Sequence, residues 1–211
     1  MLSNIKNIIF DIGGVLIDLD REHCVESFKK IGFAEAERLI DLYHPAAMFN
    51  DLERGKISLE EVCDMIRERS GATMSNEQIS QAYSSFLSSL PVEKLRLIAS
   101  IRDRGFKTYA LSNINPLVMD RVEELFEGDG HPMSYYFDKA YLSYQMKALK
   151  PEREIYELLI ADSGISPEQT LFIDDSEKNI AMGREMGLQV YLAQGKEDFS
   201  HLFSETLTKN L

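Results

Sequence analysis

The pattern of apolar and polar positions changes texture twice along the chain. It opens on an unbroken apolar run, Ile8-Ile9-Phe10, that stops on Asp11 and passes directly into Gly13-Gly14. A short run without polar alternation is the signature of a strand buried on both faces. From Arg21 to Leu90 apolar residues instead recur at spacings of three and four, as with Cys24, Val25, Phe28 and Ile31. This predicts helices over 21–31, 34–43 and 46–52. Ser58 with Glu61, and Ser75 with Gln78, are capping-box starts. They predict one helix turning Val62, Met65 and Ile66 inward, and another running to about Ser89. No strand is predicted in this block.

After Pro91 helix and strand patterns alternate. Helices are predicted over 93–104, over 116–126 behind an Asn115 cap, over 151–164 up to a capping Gly164, and over 177–186 up to Gly187. Strands are predicted over 106–111, 140–143, 170–173 and 189–192, with a modest helix closing the chain. Such alternation builds a parallel sheet with right-handed crossovers. The opening strand belongs to that sheet although the helical block separates it from its partners. The chain therefore reads as an α/β fold: a parallel-sheet core from residues 1–17 and 91–211, interrupted by an all-helical module over 18–90.

Charge narrows the partners. Among 211 residues, 23 Lys and Arg stand against 35 Asp and Glu, a formal net charge of −12. That balance argues against a nucleic-acid backbone or an anionic membrane surface. One phosphate on a small metabolite needs only local positive charge, main-chain N–H groups and a metal ion, so it remains compatible. Cys24 and Cys63 lie within helical patterns without metal-ligand spacing and read as reduced thiols. With neither a secretory pattern nor an apolar run of membrane-spanning length, a cytoplasmic protein is expected. The oligomeric state is not readable.

Candidate chemistry gathers at strand ends. Ile8-Ile9-Phe10 ends in Asp11, Tyr109-Ala110-Leu111 in Ser112-Asn113, and Leu171-Phe172-Ile173 in Asp174-Asp175, while Lys150 opens the helix after a further strand. In an open parallel sheet these ends share one rim, where ligands bind. Taken singly, Ser112-Asn113 reads as a turn, Lys150 as a surface lysine and Asp174-Asp175 as a helix cap. Their coincidence in one order carries the argument. Three carboxylates brought close repel unless a cation sits among them, and carboxylate and carbonyl oxygens suit Mg²⁺.

Phe10-Asp11-Ile12-Gly13-Gly14-Val15-Leu16, Leu111-Ser112-Asn113, Lys150-Pro151 and the stretch from Phe172 to Asn179 resemble, in order, the four motifs of the haloacid dehalogenase-like hydrolase superfamily. The resemblance covers essentially the whole chain and implies a Rossmann-like core with a helical cap inserted after the first strand. Glu53-Arg54-Gly55-Lys56-Ile57-Ser58 is similar to a subgroup of sugar-phosphate phosphatases that includes glucose-1-phosphate phosphatases. It implies Asp11 as the nucleophile that becomes an aspartyl phosphate, Ser112 and Asn113 as hydrogen-bonding groups for the phosphoryl oxygens, and Lys150 as the bridge between nucleophile and phosphate. The implied Mg²⁺ ligands are Asp11, the Gly13 carbonyl and Asp175, with Asp174 supporting through water.

One position departs from the pattern. Most phosphatases of the superfamily carry a second Asp two residues after the nucleophile, where this chain has Gly13. Gly13 can offer its carbonyl to a metal but cannot exchange a proton with the leaving group. Loss of a general acid costs ~10²–10⁴ in rate, or roughly 3–5 kcal/mol of transition-state stabilisation. The expectation is a Mg²⁺-dependent phosphomonoesterase whose substrate has a good leaving group, such as the anomeric oxygen of a sugar 1-phosphate. Asp18, Asp20 and His23 are candidate substitute acids, and Arg21, Arg54 and Lys56 are candidate substrate contacts. The alternatives are a 2-haloacid dehalogenase, which would also use Asp11, and a catalytically weak phosphometabolite-binding protein.

Overall fold

The computed structural model describes residues 4–40 and 47–203. Its elements in chain order begin with β1 (Asn7–Phe10) and β2 (Asp18–Leu19), then the helices α1 (Arg21–Lys30), α2 (Ala47–Glu53), α3 (Leu59–Ser70) and α4 (Asn76–Ser84). Next come β3 (Leu87–Ser89), α5 (Val92–Asp103), β4 (Lys107–Ser112), α6 (Met119–Phe126), α7 (Met133–Tyr136) and β5 (Lys139–Leu142). The chain continues through α8 (Ser143–Met146), α9 (Arg153–Ser163), β6 (Thr170–Asp174), α10 (Glu177–Glu185) and β7 (Gln189–Leu192).

Five strands form one parallel sheet in the order β5-β4-β1-β6-β7. The opening strand is thus its centre, with all four residues buried. Because side chains alternate across a strand, Ile8 and Phe10 enter one apolar layer and Ile9 the other. The first layer packs the sheet against Leu95, Ile98 and Ile101 of α5, Val122 and Phe126 of α6, and Phe199 and Phe203 near the end of the described chain. The second packs it against Ile155, Tyr156 and Leu159 of α9 and Ile180 of α10. These two faces covered by helices are what the unbroken apolar runs anticipate.

The four helices from α1 to α4 bury a third apolar cluster among themselves, with Phe28, Phe49, Val62, Ile66 and Ile79 at its centre. Both anticipated capping boxes are present, at Ser58 with Glu61 and at Ser75 with Gln78. Three local expectations fail here. Met65 faces solvent, and Cys63 takes its place inside. Over 34–40 only a short 3-10 turn, Ala36–Arg38, forms, and the Glu37 and Ile40 carbonyls accept from the Arg21 guanidinium. The rest of the anticipated 34–43 helix, and residue 46 of the 46–52 helix, lie outside the described residues. Finally, α4 stops at Ser84 and the chain returns as β3, which pairs antiparallel with β2. Strands of two and three residues are too short to carry a periodic signal. The anticipated closing helix is a 3-10 segment, Phe199–Phe203, beyond which the chain is outside the described residues. No helix among the described residues is long and apolar enough to cross a membrane.

Candidate active site

Strand pairing brings the separated motifs together. Phe10 stands opposite Ala110 on one side and Ile173 on the other, so Asp11, Ser112 and Asp174 share one rim. The Asp11 N–H donates to the Ile173 carbonyl at 2.9 Å, which fixes the first acid beside the last residues of β6. Lys150 reaches this rim from the segment between α8 and α9. Its Nζ donates to Asp11 Oδ1 at 2.9 Å and to Asp174 Oδ2 at 2.7 Å.

Little water reaches these groups: Asp11 is 7%, Lys150 4% and Asp174 0% exposed. Ion pairs so enclosed are barely screened, and removing either partner leaves an uncompensated buried charge. Burial pushes the Asp11 carboxyl up to about 7 even though Lys150 pulls it down, with Asp174 and Asp175 adding to the rise. Burial also raises Asp175, helped by Asp174. For Lys150 burial works in the opposite direction, but Asp11 and Asp174 together hold the ammonium above its usual range.

Asp11, Asp174 and Asp175 each offer a carboxylate oxygen, and these atoms all lie within 4.8 Å of one another. Three ionised carboxylates and one ammonium leave two negative charges. A divalent cation balances that remainder, and an all-oxygen donor set of carboxylates suits Mg²⁺. The two neighbouring acids differ in their commitments. Asp174 accepts from Lys150, from Asn179 Nδ2 at 2.9 and 3.1 Å, and from the Ser176 N–H at 2.8 Å. Asp175 is exposed and lies against Gly14, where any β-carbon would run into its carboxylate. Gly14 also has φ of 81°, a conformation only glycine adopts without strain.

The loop after β1 is held from behind. The Leu16 and Ile17 N–H groups return to the Ile12 carbonyl, and buried Lys94 donates to the Val15 carbonyl at 2.5 Å. The loop after β4 is pinned by Ser143, whose hydroxyl accepts from Ile114 N–H at 2.9 Å and donates to its carbonyl at 3.0 Å. Ser112 is buried at the rim. The Asn113 side chain is engaged elsewhere than expected: its Nδ2 donates to the Lys150 carbonyl and its Oδ1 accepts the Lys150 N–H, both at 2.8 Å. Its amide therefore braces the lysine main chain, a task for which the sequence holds no cue.

Of the anticipated substrate contacts, Arg21 is spent inside the helical block on the Ile40 and Glu37 carbonyls. Lys56 lies 3.7 Å from Asp51. Arg54 does cross to the sheet side, where it forms a forked pair with Glu152, two residues beyond Lys150. Lys147 answers it by donating to the Gly55 carbonyl at 2.9 Å. Sequence reasoning missed Ser143 and Lys94, and included Asn179 in the fourth motif without giving it a role. Asn179, the third residue of α10, uses its amide to hold Asp174.

A parallel α/β sheet with a buried acid and lysine cluster at the carboxyl ends of its strands, and a helical insertion after its first strand, is an enzyme architecture. This chain belongs to the haloacid dehalogenase-like hydrolase family, whose model matches residues 5–187. It is 38% identical over 196 residues to D-ribitol-5-phosphate phosphatase of Bacteroides thetaiotaomicron, covering 92% of this chain and 95% of that protein. A crystal structure of a wild-type enzyme of this family from Bacteroides thetaiotaomicron, in complex with magnesium and inorganic phosphate, superposes with a TM-score of 0.89 at 43% identity. That match covers 94% of this chain and 99% of the other. A family hydrolase from Porphyromonas gingivalis superposes with a TM-score of 0.89 at 37% identity, covering 98% of this chain and all of that one.

Proposed function

We propose that this chain is a Mg²⁺-dependent phosphomonoesterase that releases phosphate from a small sugar or polyol phosphate through an aspartyl-phosphate intermediate on Asp11. The carrying observation is the Lys150 ammonium held between Asp11 and Asp174 at 2.9 and 2.7 Å, within a cluster of three acids. Asp11, the Gly13 carbonyl and Asp175 would hold Mg²⁺, with Asp174 supporting. The cation supplies charge neutralisation that lets a phosphate dianion approach three carboxylates.

The remaining work falls to this chain's own side chains. Asp11, fixed by its main-chain bond to Ile173, attacks phosphorus. Lys150 favours the ionised form of that carboxylate against the effect of burial and draws a phosphoryl oxygen toward it. Ser112 donates to the same group, and Asn113 keeps Lys150 in register. Residues 18–90 act as a cap over the catalytic core of residues 1–17 and 91–211, with Arg54–Glu152 and Lys147–Gly55 as its attachment points.

A relative named for a 5-phosphate alters the leaving-group expectation. A primary alkoxide is a poor leaving group, so the reading moves from sugar 1-phosphates toward terminal phosphates of open-chain polyols and sugars. The test is phosphate release from polyol and sugar phosphates, with and without Mg²⁺, for the wild type and Asp11→Asn. Release that needs Mg²⁺ and vanishes in the variant supports the reading. Chloride release from a 2-haloacid without phosphatase activity would replace it with the dehalogenase.

A further inference from the structure

Gly13 leaves the leaving group without an obvious proton source, and the structure removes the acids nearest to it in sequence. Asp18 accepts from Ser89 Oγ at 3.0 Å within the β2–β3 ribbon. Asp20 caps α1 by accepting from the His23 N–H at 2.9 Å, and both Asp20 and His23 are exposed to bulk water.

A different carboxyl group, on the helical insertion, meets the loop that follows β4. Glu53 ends α2, and Asn115, three residues beyond Ser112, donates a hydrogen bond to it. Asn115 is itself fixed, its Oδ1 accepting from the Leu117 N–H at 3.1 Å and its Nδ2 lying 3.5 Å from the Tyr83 hydroxyl. Tyr83 in turn stacks on Phe49 with ring centroids 4.5 Å apart. The next two residues fasten the same stretch to the other side of the rim, Arg54 through Glu152 and Gly55 through Lys147. Residues 53–55 thus reach from the loop that follows Ser112 to the segment that carries Lys150. Those two segments are joined to each other by the paired Asn113 and Lys150 hydrogen bonds.

The surroundings of Glu53 suit proton transfer. Protein packs densely around it, with part of its surface still accessible. Burial pushes its carboxyl up to about 7, with the Asn115 bond opposing. The groups that face it are Asn115 from the loop after β4 and Tyr83 from α4, whose phenol burial and Glu53 push upward and keep neutral. The adjoining Arg54 is turned to Glu152. A carboxyl poised near neutrality can both give and take a proton.

We propose that Glu53 is the general acid and base of the reaction, delivering from the insertion the proton exchange that Gly13 cannot perform. This rests on the phosphatase reading above. As Asp11 bonds to phosphorus and the bond to the leaving oxygen breaks, that oxygen takes the Glu53 proton and departs as an alcohol. The resulting Glu53 carboxylate then takes a proton from water as the water oxygen bonds to phosphorus. The Asp11–phosphorus bond breaks, inorganic phosphate leaves, and both carboxyl groups return to their starting forms.

The experiment compares the wild type, Glu53→Gln and Glu53→Asp on ribitol 5-phosphate and on para-nitrophenyl phosphate, whose leaving group needs no proton. Expected is a fall of about 10²–10³ in kcat/KM for the polyol ester in Glu53→Gln, little change in kcat/KM for the aryl ester because that ratio reports only the steps through leaving-group release, and loss of the alkaline limb of the polyol pH profile. Glu53→Asp should recover part of the lost rate. Equal losses of kcat/KM on both esters, or no loss on either, would overturn the proposal. Should Glu53→Gln lose its cooperative thermal transition, Glu53→Asp decides by the same comparison. A wild type inactive on both esters would instead overturn the phosphatase reading itself.

Discussion

The carboxylate of Asp175 occupies the space that a β-carbon on Gly14 would need. The first and fourth motifs therefore interlock at this point, and the glycine is required by its neighbour as well as by its φ of 81°. Gly14→Ala should retain the fold but displace Asp175. The expected outcome is roughly a 10–100-fold loss of Mg²⁺ affinity, read by isothermal titration calorimetry. An unchanged affinity would remove Asp175 from the proposed ligand set.

Lys150 is the ammonium between two buried acids. Lys150→Met leaves both carboxylates unbalanced and should cost about 3–5 kcal/mol of stability, or roughly 10 °C in melting temperature. Added Mg²⁺ should raise the variant's melting temperature by more than it raises that of the wild type, because it supplies the missing charge. Phosphatase activity should nevertheless stay at least about 10²-fold down, since the charge on the phosphoryl group is lost.

Gly13 has room for a side chain. A β-carbon there would meet only Leu19, at 3.7 Å, which is ordinary contact. Gly13→Asp should therefore fold. Placed in the Glu53→Gln background, it should raise kcat on polyol phosphates by about 10²-fold or more over Glu53→Gln alone. No recovery would argue that proton supply is not what the first substitution removed.

Glu53 also predicts a pH dependence of stability. Its folded value of about 7 lies above the ordinary 4.5, so between these limits the folded chain binds more protons than the unfolded chain. Stability contributed by the neutral carboxyl is present below about 4.5 and lost as pH rises through about 7, roughly 3 kcal/mol in all. Denaturant unfolding at pH 5 and pH 8 should show Glu53→Gln gaining on the wild type by up to that amount at the higher pH. A constant difference would mean that the carboxyl titrates normally.

The sheet was legible because its strands are buried on both faces and so are written as unbroken apolar runs, from Ile8-Ile9-Phe10 to Leu171-Phe172-Ile173. Asp11 and Asp174 could be placed at strand ends for the same reason. What escaped was everything that depends on tertiary hydrogen bonding. Asn113 as a brace for Lys150, Ser143 as a pin on the loop after β4, and Arg21 as a bond donor inside the insertion all pair residues far apart in the chain. Glu53 was read only as part of a motif, because its setting is made by Asn115 and Tyr83, more than 25 positions away. The β2–β3 ribbon was missed because it is too short for any period to register.

The central position of β1 has a consequence for synthesis. Of the strands in this sheet, the first to leave the ribosome is the one that needs a neighbour on each side, and those neighbours are Lys107–Ser112 and Thr170–Asp174. Until about residue 174 has emerged, Asn7–Phe10 has an open edge, while α1 to α4 can already close around their own cluster. The nascent chain must therefore carry an apolar strand that has no partner until Lys107–Ser112 emerges and only one until Thr170–Asp174 does. The segment that ends this exposure is the same one that brings Asp174 and Asp175 to the rim.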